Sequence, residues 1–405
     1  MPGLPGDVHL TYCTNIHAGE SWPDIRASLA EYLPAIKREV CPDGERMGVG
    51  LRLSGIAADA LAEPAALDEF RDFLDANGLY VFTLNAFPYG PFHGTRVKEE
   101  VYQPDWRHDE RLRFTNLSAD ILAALLPPDE PGLEGSVSTV PGTFKPLARE
   151  PGAAWDMAGR MVRHAAHLVR LRRRTGRTIA LAIEPEPACF IETVEETVAF
   201  FGEHLFGPKA VALLSELTGL GAGAAGEALR RHLGVCYDAC HAAVEFEDPE
   251  GGLRRLAEAG VRVTKLQLSS ALRLPEVDPG AEELLTPFNE GVYLHQVVQR
   301  SPGDGGLTRY ADLPQAFEAL RRGEGAGGEW RVHCHVPIFL ERFGALASTQ
   351  DFLQDVLALC RREPVSAHLE AETYTWDVLP EGHRGASKAA AIARELAWVR
   401  DRLQP

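Results

Sequence analysis

Residues 179–187 read IALAIEPEP, an apolar run that ends abruptly in two Glu-Pro pairs. A short continuous apolar run is typical of a parallel strand that is buried on both faces. The pattern recurs at residues 233–241, LGVCYDACH, and at residues 365–374, VSAHLEAETY. Because parallel strands present their carboxyl ends at one edge of a sheet, polar side chains from these three remote segments are predicted to converge in one cleft.

Apolar strands and amphipathic helices alternate along almost the whole chain. Strands are predicted at residues 8–13, 47–53, 80–85, 136–140, 179–183, 234–237, 261–268, 330–336 and 365–369, and helices at residues 23–40, 67–77, 154–175, 349–362 and 386–403. This number of βα units favours a closed (β/α)8 TIM barrel, with long loop insertions over the carboxyl ends of the strands. Nine strands for eight places put one of residues 261–268, 292–298 and 330–336 in an insertion. No domain boundary stands out, so residues 1–405 are predicted to form a single domain.

Composition excludes several classes of partner. The net charge of −17 repels polyanions, so nucleic acid is not expected to bind. Seven scattered cysteines indicate no disulfide framework and favour a reducing cytoplasm. No stretch of about 18 consecutive apolar residues occurs, so no membrane span is expected. The expected partner is a small-molecule metabolite, and a homo-oligomer is left open.

Acidic side chains follow the predicted strand ends. Glu184 directly follows an apolar strand, where a carboxylate is costly unless it is paired or bound to a metal. Asp238 follows the next strand, although an Asp in this position also suits a helix N-cap. Glu370 and Glu372 share one face of a strand, and like charges placed this way repel unless a cation or a proton lies between them. These residues predict a divalent metal site, with structural ion pairs as the alternative.

Histidines extend the candidate site. His241 lies three residues beyond Asp238, so the imidazole and the carboxylate can serve one site. His333 and His335 share a strand face, and alternating histidines commonly bind metal together. A buried histidine can also be a satisfied core residue. At least one of His333 and His335 is predicted to contact the site.

Four further polar residues lie on the predicted strands or at their ends. Gln267 is a candidate weak metal ligand or hydroxyl partner, and Lys265 on the same face is placed to hold an oxyanion. His17 and Asn85 end the first and third strands, where they suit hydroxyl recognition. The predicted substrate contacts are His17, Asn85, His241, Lys265, His335 and Glu370.

These motifs resemble the xylose-isomerase-like TIM barrel superfamily, which includes sugar and sugar-phosphate isomerases and epimerases. The resemblance spans nearly the whole chain. It rests on an acidic end to strand five, Asp-x-x-His after strand six, a polar strand seven and an acidic last strand. Four stretches look more narrowly like the metabolite-traffic protein EboE family: residues 11–17 (TYCTNIH), 183–187 (IEPEP), 333–337 (HCHVP) and 369–376 (LEAETYTW).

The resemblance also implies a set of metal ligands, because epimerases of this superfamily hold one divalent metal through Glu, Asp, His and Glu from the last four strands. The residues implied are Glu184, Asp238, a histidine and Glu372. His241 would then contact substrate hydroxyls. Strand seven departs from the family pattern, since Gln267 stands where a ligating histidine is usual. Either Gln267 fills that place, or His333 or His335 from the following segment supplies the imidazole.

The predicted function is that of a metal-dependent isomerase or epimerase acting on a small sugar-like or polyol metabolite. One Mn²⁺ or Mg²⁺ ion, or Zn²⁺ if two histidines bind, would stabilise the enediolate formed when the proton alpha to a carbonyl leaves. Glu184 and Glu372 are the predicted general base and acid.

Two alternatives use the same barrel. A non-catalytic metabolite-binding or traffic protein would keep the pocket without the chemistry, and Gln267 in place of a histidine favours it modestly. A metal-dependent phosphodiesterase of the abasic-site endonuclease type would need two or three metals and a basic DNA track. The net charge of −17 argues against such a track.

Overall fold

Eight parallel strands form a barrel in the computed structural model, which describes residue 4 and residues 8–91, 98–289, 291–374 and 387–404. The strands are β1 (His9–Tyr12), β2 (Met47–Arg52), β3 (Leu79–Asn85), β4 (Gly135–Thr139), β5 (Ile179–Ile183), β6 (Leu233–Asp238), β7 (Arg262–Leu268) and β14 (His368–Ala371). Their order in space is β1-β14-β7-β6-β5-β4-β3-β2. A parallel bridge between Cys13 and Gly50 joins the two ends of this sheet. The predicted (β/α)8 barrel is confirmed.

Helices surround the barrel and connect its strands. They are α1 (Trp22–Val40), α2 (Gly55–Leu61), α3 (Pro64–Ala76), α4 (Asp109–Leu125), α5 (Ala153–Thr175), α6 (Val194–Phe200), α7 (Pro208–Thr218), α8 (Ala222–His232), α9 (Ala239–Val244), α10 (Pro249–Glu258), α11 (Ala281–Leu285), α12 (Leu313–Arg321), α13 (Gln350–Arg362) and α14 (Lys388–Leu403). Local signals set their ends: the Ser21 side chain caps α1, and Gly176 ends α5 with a φ of 74°. Among the residues described, no helix is both long and apolar enough to cross a bilayer.

Polar side chains fill part of the barrel interior. Lys265 on β7 and Glu370 on β14 form an ion pair of 2.6 Å, and both side chains are 0% exposed. Glycine is required at position 50 on β2, because a Cβ there would overlap the Glu370 carboxylate and lie 2.6 Å from the Tyr12 carbonyl oxygen. The close approach of Gly50 therefore makes room for a buried charge pair in the centre of the barrel.

A second sheet is inserted between β7 and α13. Its strands are β8 (Leu272–Leu274), β9 (Val297–Arg300), β10 (Leu307–Tyr310), β11 (Glu329–Val332), β12 (Arg342–Phe343) and β13 (Leu346–Ser348). They pair antiparallel in the order β10-β9-β11-β8-β13-β12 and bury an apolar cluster of their own. We call residues 271–349 the inserted sheet. Its two ends meet, since Ala271 N donates to Thr349 Oγ1 at 2.8 Å and Thr349 N donates to Ala271 O at 2.9 Å.

Two sequence predictions need correction here. Residues 261–268 belong to the barrel, whereas residues 292–298 and 330–336 both fall in the inserted sheet, so two candidates lie outside the barrel instead of one. The last barrel strand runs from His368 to Ala371 instead of over residues 365–369, and its later end places Glu370 inside the strand. Thr375 and Trp376, part of the EboE-like stretch, lie outside the described residues.

Candidate metal centre

A cavity of about 80 Å³ opens at the carboxyl ends of the barrel strands. Its polar lining consists of Asn15, Asn85, Lys98, Tyr102, Glu184, Glu186, His241, Tyr293, His333, His335, Glu372 and Tyr374. Residues from β1, β3, β5, β6, β14 and the inserted sheet thus meet at one edge, as parallel strands require. A volume of this size accommodates a few water molecules or a small ligand.

Three buried carboxylates form the acidic part of the centre, and we call Glu184, Asp238 and Glu372 the carboxylate cluster. One carboxylate oxygen from each lies within 4.8 Å of the other two. Backbone hydrogen bonds extend the sheet by one residue to hold two of them. Glu184 N donates to Thr139 O at 3.1 Å, and Glu372 N donates to Leu268 O at 3.0 Å. The sequence prediction that these remote side chains converge agrees with this geometry.

Asp238 serves as a helix cap and also points an oxygen into the centre. Its Oδ1 accepts hydrogen bonds from His241 N at 3.0 Å and from Ser269 Oγ at 2.6 Å. Its Oδ2 is buried and accepts no hydrogen bond from the residues that the structure describes, and Glu184 Oε2 is in the same condition. A buried carboxylate oxygen without a donor is costly, so both oxygens suit a cation.

The surroundings of the carboxylate cluster oppose ionisation of Glu184 and favour ionisation of Asp238. Burial raises the pKa of Glu184 well above its usual range, and the charges of Glu372 and Asp238 raise it further. Burial also opposes ionisation of Asp238, but His241 and His335 nearby, with the hydrogen bonds to Asp238, bring its pKa below the usual value. Oxygen ligands of this kind suit Mg²⁺ or Mn²⁺. The donor set therefore fits a divalent metal.

Three imidazoles lie beside the carboxylates, and we call His241, His333 and His335 the imidazole cluster. His333 Nε2 is 3.1 Å from His241 Nε2 and 3.3 Å from His335 Nε2. Asp238 Oδ2 is 3.9 Å from both His241 Nε2 and His335 Nε2. Burial lowers the pKa of His241 and of His333, so these two rings are held neutral. The inserted sheet supplies His333 and His335, which the sequence analysis left open as an alternative to Gln267.

Sequence reasoning underrated or missed a hydrogen-bonded group on the cavity wall. Glu186 Oε1 accepts from Tyr102 Oη at 2.7 Å and from Gln296 Nε2 at 3.3 Å. Burial raises the pKa of Glu186 to about 8, although both hydrogen bonds lower it. The second Glu-Pro pair of IEPEP was a signal for Glu186, whereas neither Tyr102 nor Gln296 belongs to a motif. Asn15 was also outside the predicted contacts, yet its amide donates to Glu372 Oε1.

Several predicted site residues lie away from the cavity. Lys265 and Glu370 are paired in the barrel interior and do not line it. Gln267 is fully buried and lies between Glu370 and Asp238 in the strand register, and Cys236 Sγ lies 4.0 Å from its Oε1. His17 Nε2 is 2.8 Å from Tyr12 Oη, outside the cavity lining. Their predicted contacts with substrate or metal gain no support from this placement.

Asn85 does reach the cavity, and its position is fixed by neighbours. Its Oδ1 accepts from Phe87 N at 3.0 Å, and its Nδ2 donates to Cys13 Sγ at 3.4 Å. Asn85 and Asn15 both line the cavity. Asn85 ends β3, which lies across the barrel from β7, the strand that precedes the inserted sheet. Because an amide nitrogen carries two hydrogens, Asn85 Nδ2 can donate to a ligand oxygen while it keeps its contact with Cys13.

Comparison with known proteins found no matching family model and no matching curated protein. Similar solved structures include a xylose isomerase domain protein from Planctomyces limnophilus, 12% identical over 100% of this chain and 99% of that chain, with a TM-score of 0.47. The zinc-bound IolI protein is 13% identical, with 98% of each chain covered and a TM-score of 0.44. A sugar phosphate isomerase/epimerase from Parabacteroides distasonis is 10% identical over 98% of this chain and 94% of that chain, with a TM-score of 0.37. The narrower likeness to the EboE family stays a prediction.

Proposed function

We propose that this chain is a metal-dependent isomerase or epimerase of a small sugar-like or polyol metabolite. The observation that carries the proposal is the carboxylate cluster, whose three buried side chains place oxygens within 4.8 Å of one another at the mouth of a barrel. A divalent metal held by Glu184, Asp238 and Glu372 would bind adjacent substrate oxygens and stabilise negative charge that develops on them. The cavity volume of about 80 Å³ favours a small substrate over a polymer.

Proton transfer is the role proposed for two of the carboxylates. Glu184 has a raised pKa and an oxygen without a hydrogen-bond donor among the described residues, and both properties suit a group that takes up a proton. Glu372 comes from the strand on the far side of β6 and β7, and the Asn15 amide fixes its orientation. Two carboxyl groups from different strands can remove a proton from one carbon and return it to the same or a neighbouring carbon.

The cavity wall protects such a reaction from water. Apolar and aromatic side chains contribute to the lining, among them Phe87, Val101 and Leu294. The neutral form of Glu186 is favoured up to a pH of about 8 and offers a hydrogen-bond donor to a substrate oxygen. Exclusion of water strengthens each electrostatic contact inside the site.

Exchange of substrate C–H protons with D₂O, followed by NMR across a panel of aldoses, ketoses and polyol-derived sugars, tests the proposal. Glu184→Gln is expected to reduce exchange and turnover by about 10²–10⁴-fold while the circular dichroism spectrum is unchanged. Glu195→Gln, an exposed glutamate in the first turn of α6, is the matched control and should retain full turnover. Turnover that persists in Glu184→Gln would show that the proton-transfer role is misassigned.

A metabolite-binding or traffic protein is the second candidate, and Gln267 favours it. This side chain stands in the barrel where an imidazole is usual, and its Nε2 has no hydrogen-bond partner among the described residues. A carrier of the EboE type would bind the metabolite without converting it. Equilibrium binding to metal-loaded protein, with no exchange of substrate protons, would select this candidate over the first.

A further inference from the structure

The imidazole cluster has a geometry that the proposed function does not use. His241 follows β6, whereas His333 and His335 come from the inserted sheet, and all three side chains are buried. Their Nε2 atoms approach one another to 3.1 Å and 3.3 Å. Whether these Nε2–Nε2 contacts are attractive depends on which ring nitrogens carry hydrogens.

Two of the three tautomers follow from backbone carbonyls. His241 Nδ1 lies 2.8 Å from Pro185 O, and His335 Nδ1 lies 3.1 Å from Glu372 O. A carbonyl oxygen accepts hydrogen bonds and cannot donate them, so each Nδ1 carries the hydrogen. Nε2 is therefore the nitrogen that the rings of His241 and His335 would offer to a metal.

The third tautomer follows from the orientation of Gln296. Its Nε2 donates to Pro187 O at 3.1 Å and to Glu186 Oε1 at 3.3 Å, which identifies this atom as the amide nitrogen. Gln296 Oε1 is then the acceptor for His333 Nδ1, 2.7 Å away. His333 Nδ1 therefore carries the hydrogen, and its Nε2 also has a lone pair.

Nε2 lone pairs at these two separations repel one another unless a cation lies close to them. Ligating histidines commonly donate the other ring N–H to a carbonyl or carboxylate, which is the arrangement of all three rings here. Zn–N bonds of about 2.0–2.1 Å in a tetrahedral site place ligand nitrogens about 3.3 Å apart, close to the two observed separations. Asp238 Oδ2, buried and without a hydrogen-bond donor in the described part of the chain, faces two of the rings at 3.9 Å.

We propose that His241, His333 and His335 form a second metal site, separate from the carboxylate cluster, with Asp238 between the two ions. Imidazole nitrogen favours Zn²⁺ over Mg²⁺ and Mn²⁺, whereas the carboxylate cluster favours the latter pair. The centre therefore holds two ions of different preference. This proposal goes beyond the proposed function, because it concerns binding alone and stands whether or not the protein turns over a sugar.

Metal titration of the metal-depleted full chain tests this site. Wild-type protein loaded with Zn²⁺ and Mn²⁺ is expected to retain two ions per chain after gel filtration, measured by elemental mass spectrometry. His333→Asn should lose the zinc and keep the manganese, and Glu184→Gln should do the reverse. Gln296→Leu, which removes the acceptor for His333 Nδ1, should weaken Zn²⁺ binding by about 10–100-fold.

His232→Asn is the matched control, since His232 is a buried histidine whose Nδ1 also lies 2.7 Å from a backbone carbonyl, that of Ile179, outside the centre. This variant should keep both ions. Pulsed electron paramagnetic resonance of the Cu²⁺-loaded wild type needs no substitution and should show coupling to more than one imidazole. One ion per chain in the wild type, unchanged zinc affinity in His333→Asn, or no imidazole coupling would each overturn the proposal. Absence of isomerase activity would leave it intact.

Discussion

Replacing Lys265 by Met tests whether this residue stabilises the barrel or contacts substrate. Lys265 and Glu370 are 0% exposed and 2.6 Å apart, and neither residue lines the cavity. Removing one member of a buried ion pair leaves the other charge uncompensated and typically costs about 3–5 kcal/mol. We therefore expect Lys265→Met to lower the free energy of unfolding by about this amount at neutral pH.

The pH dependence of this loss has a definite sign. Burial already raises the pKa of Glu370, and Lys265 lowers it, so the substitution raises the folded-state pKa further. A group whose folded pKa is raised stabilises the fold below its unfolded pKa of about 4.3, and this stability is lost as pH rises through the folded pKa. The difference between wild type and Lys265→Met should thus grow by about 1.4 kcal/mol per pH unit between the two folded pKa values of Glu370.

Urea unfolding, followed by circular dichroism at several pH values, measures both effects. The double variant Lys265→Met/Glu370→Gln removes the uncompensated charge and should recover most of the loss, which a double-mutant cycle quantifies. If Lys265→Met unfolds at the same urea concentration as the wild type at every pH, the reasoning is refuted. A substrate-contacting lysine would instead change KM with little effect on unfolding.

Two further predictions concern the barrel interior and the last helix. Gly50→Ala should lower the free energy of unfolding in urea by about 1–3 kcal/mol or more, because the added methyl group overlaps the Glu370 carboxylate; Gly223→Ala, whose Cβ meets nothing within 4 Å, should be neutral or stabilising by up to about 1 kcal/mol. Equal effects of the two would contradict the close-approach argument. Burial raises the pKa of Glu395 to about 7, so wild-type stability should fall as pH rises from about 4.5 through 7. Glu395→Gln should flatten this part of a thermal-midpoint profile, and an unchanged slope would assign the titration elsewhere.

The barrel could be predicted from the sequence because most of its strands are short apolar runs that alternate with helices along the chain. The inserted sheet could not be recognised in this way. Residues 292–298 and 330–336, which overlap β9 and β11, are also rich in apolar side chains, and periodicity does not say which sheet a buried strand joins. Their assignment depends on antiparallel pairing between residues that are far apart in the chain, such as Trp330 and Gln299.

The site residues that directly follow a strand could be predicted from the sequence, whereas the site residues in other positions could not. Glu184 and Asp238 mark strand ends in the sequence, and the structure brings them together. Tyr102 and Gln296 reach the centre through tertiary packing that no local pattern encodes. For Lys265, the alternation indicated which face of the strand it lies on, but not how deep it lies in the barrel.

The two ends of the inserted sheet, held together by Ala271 and Thr349, leave a gap that a short turn could close. Such an arrangement allows evolution, or a protein engineer, to replace the whole inserted sheet while the eight strands of the barrel are kept. Because the inserted sheet supplies His333 and His335, replacing it would change the nitrogen ligands while the carboxylate cluster stays in place. The chemistry of such a protein can therefore diversify through replacement of one inserted segment.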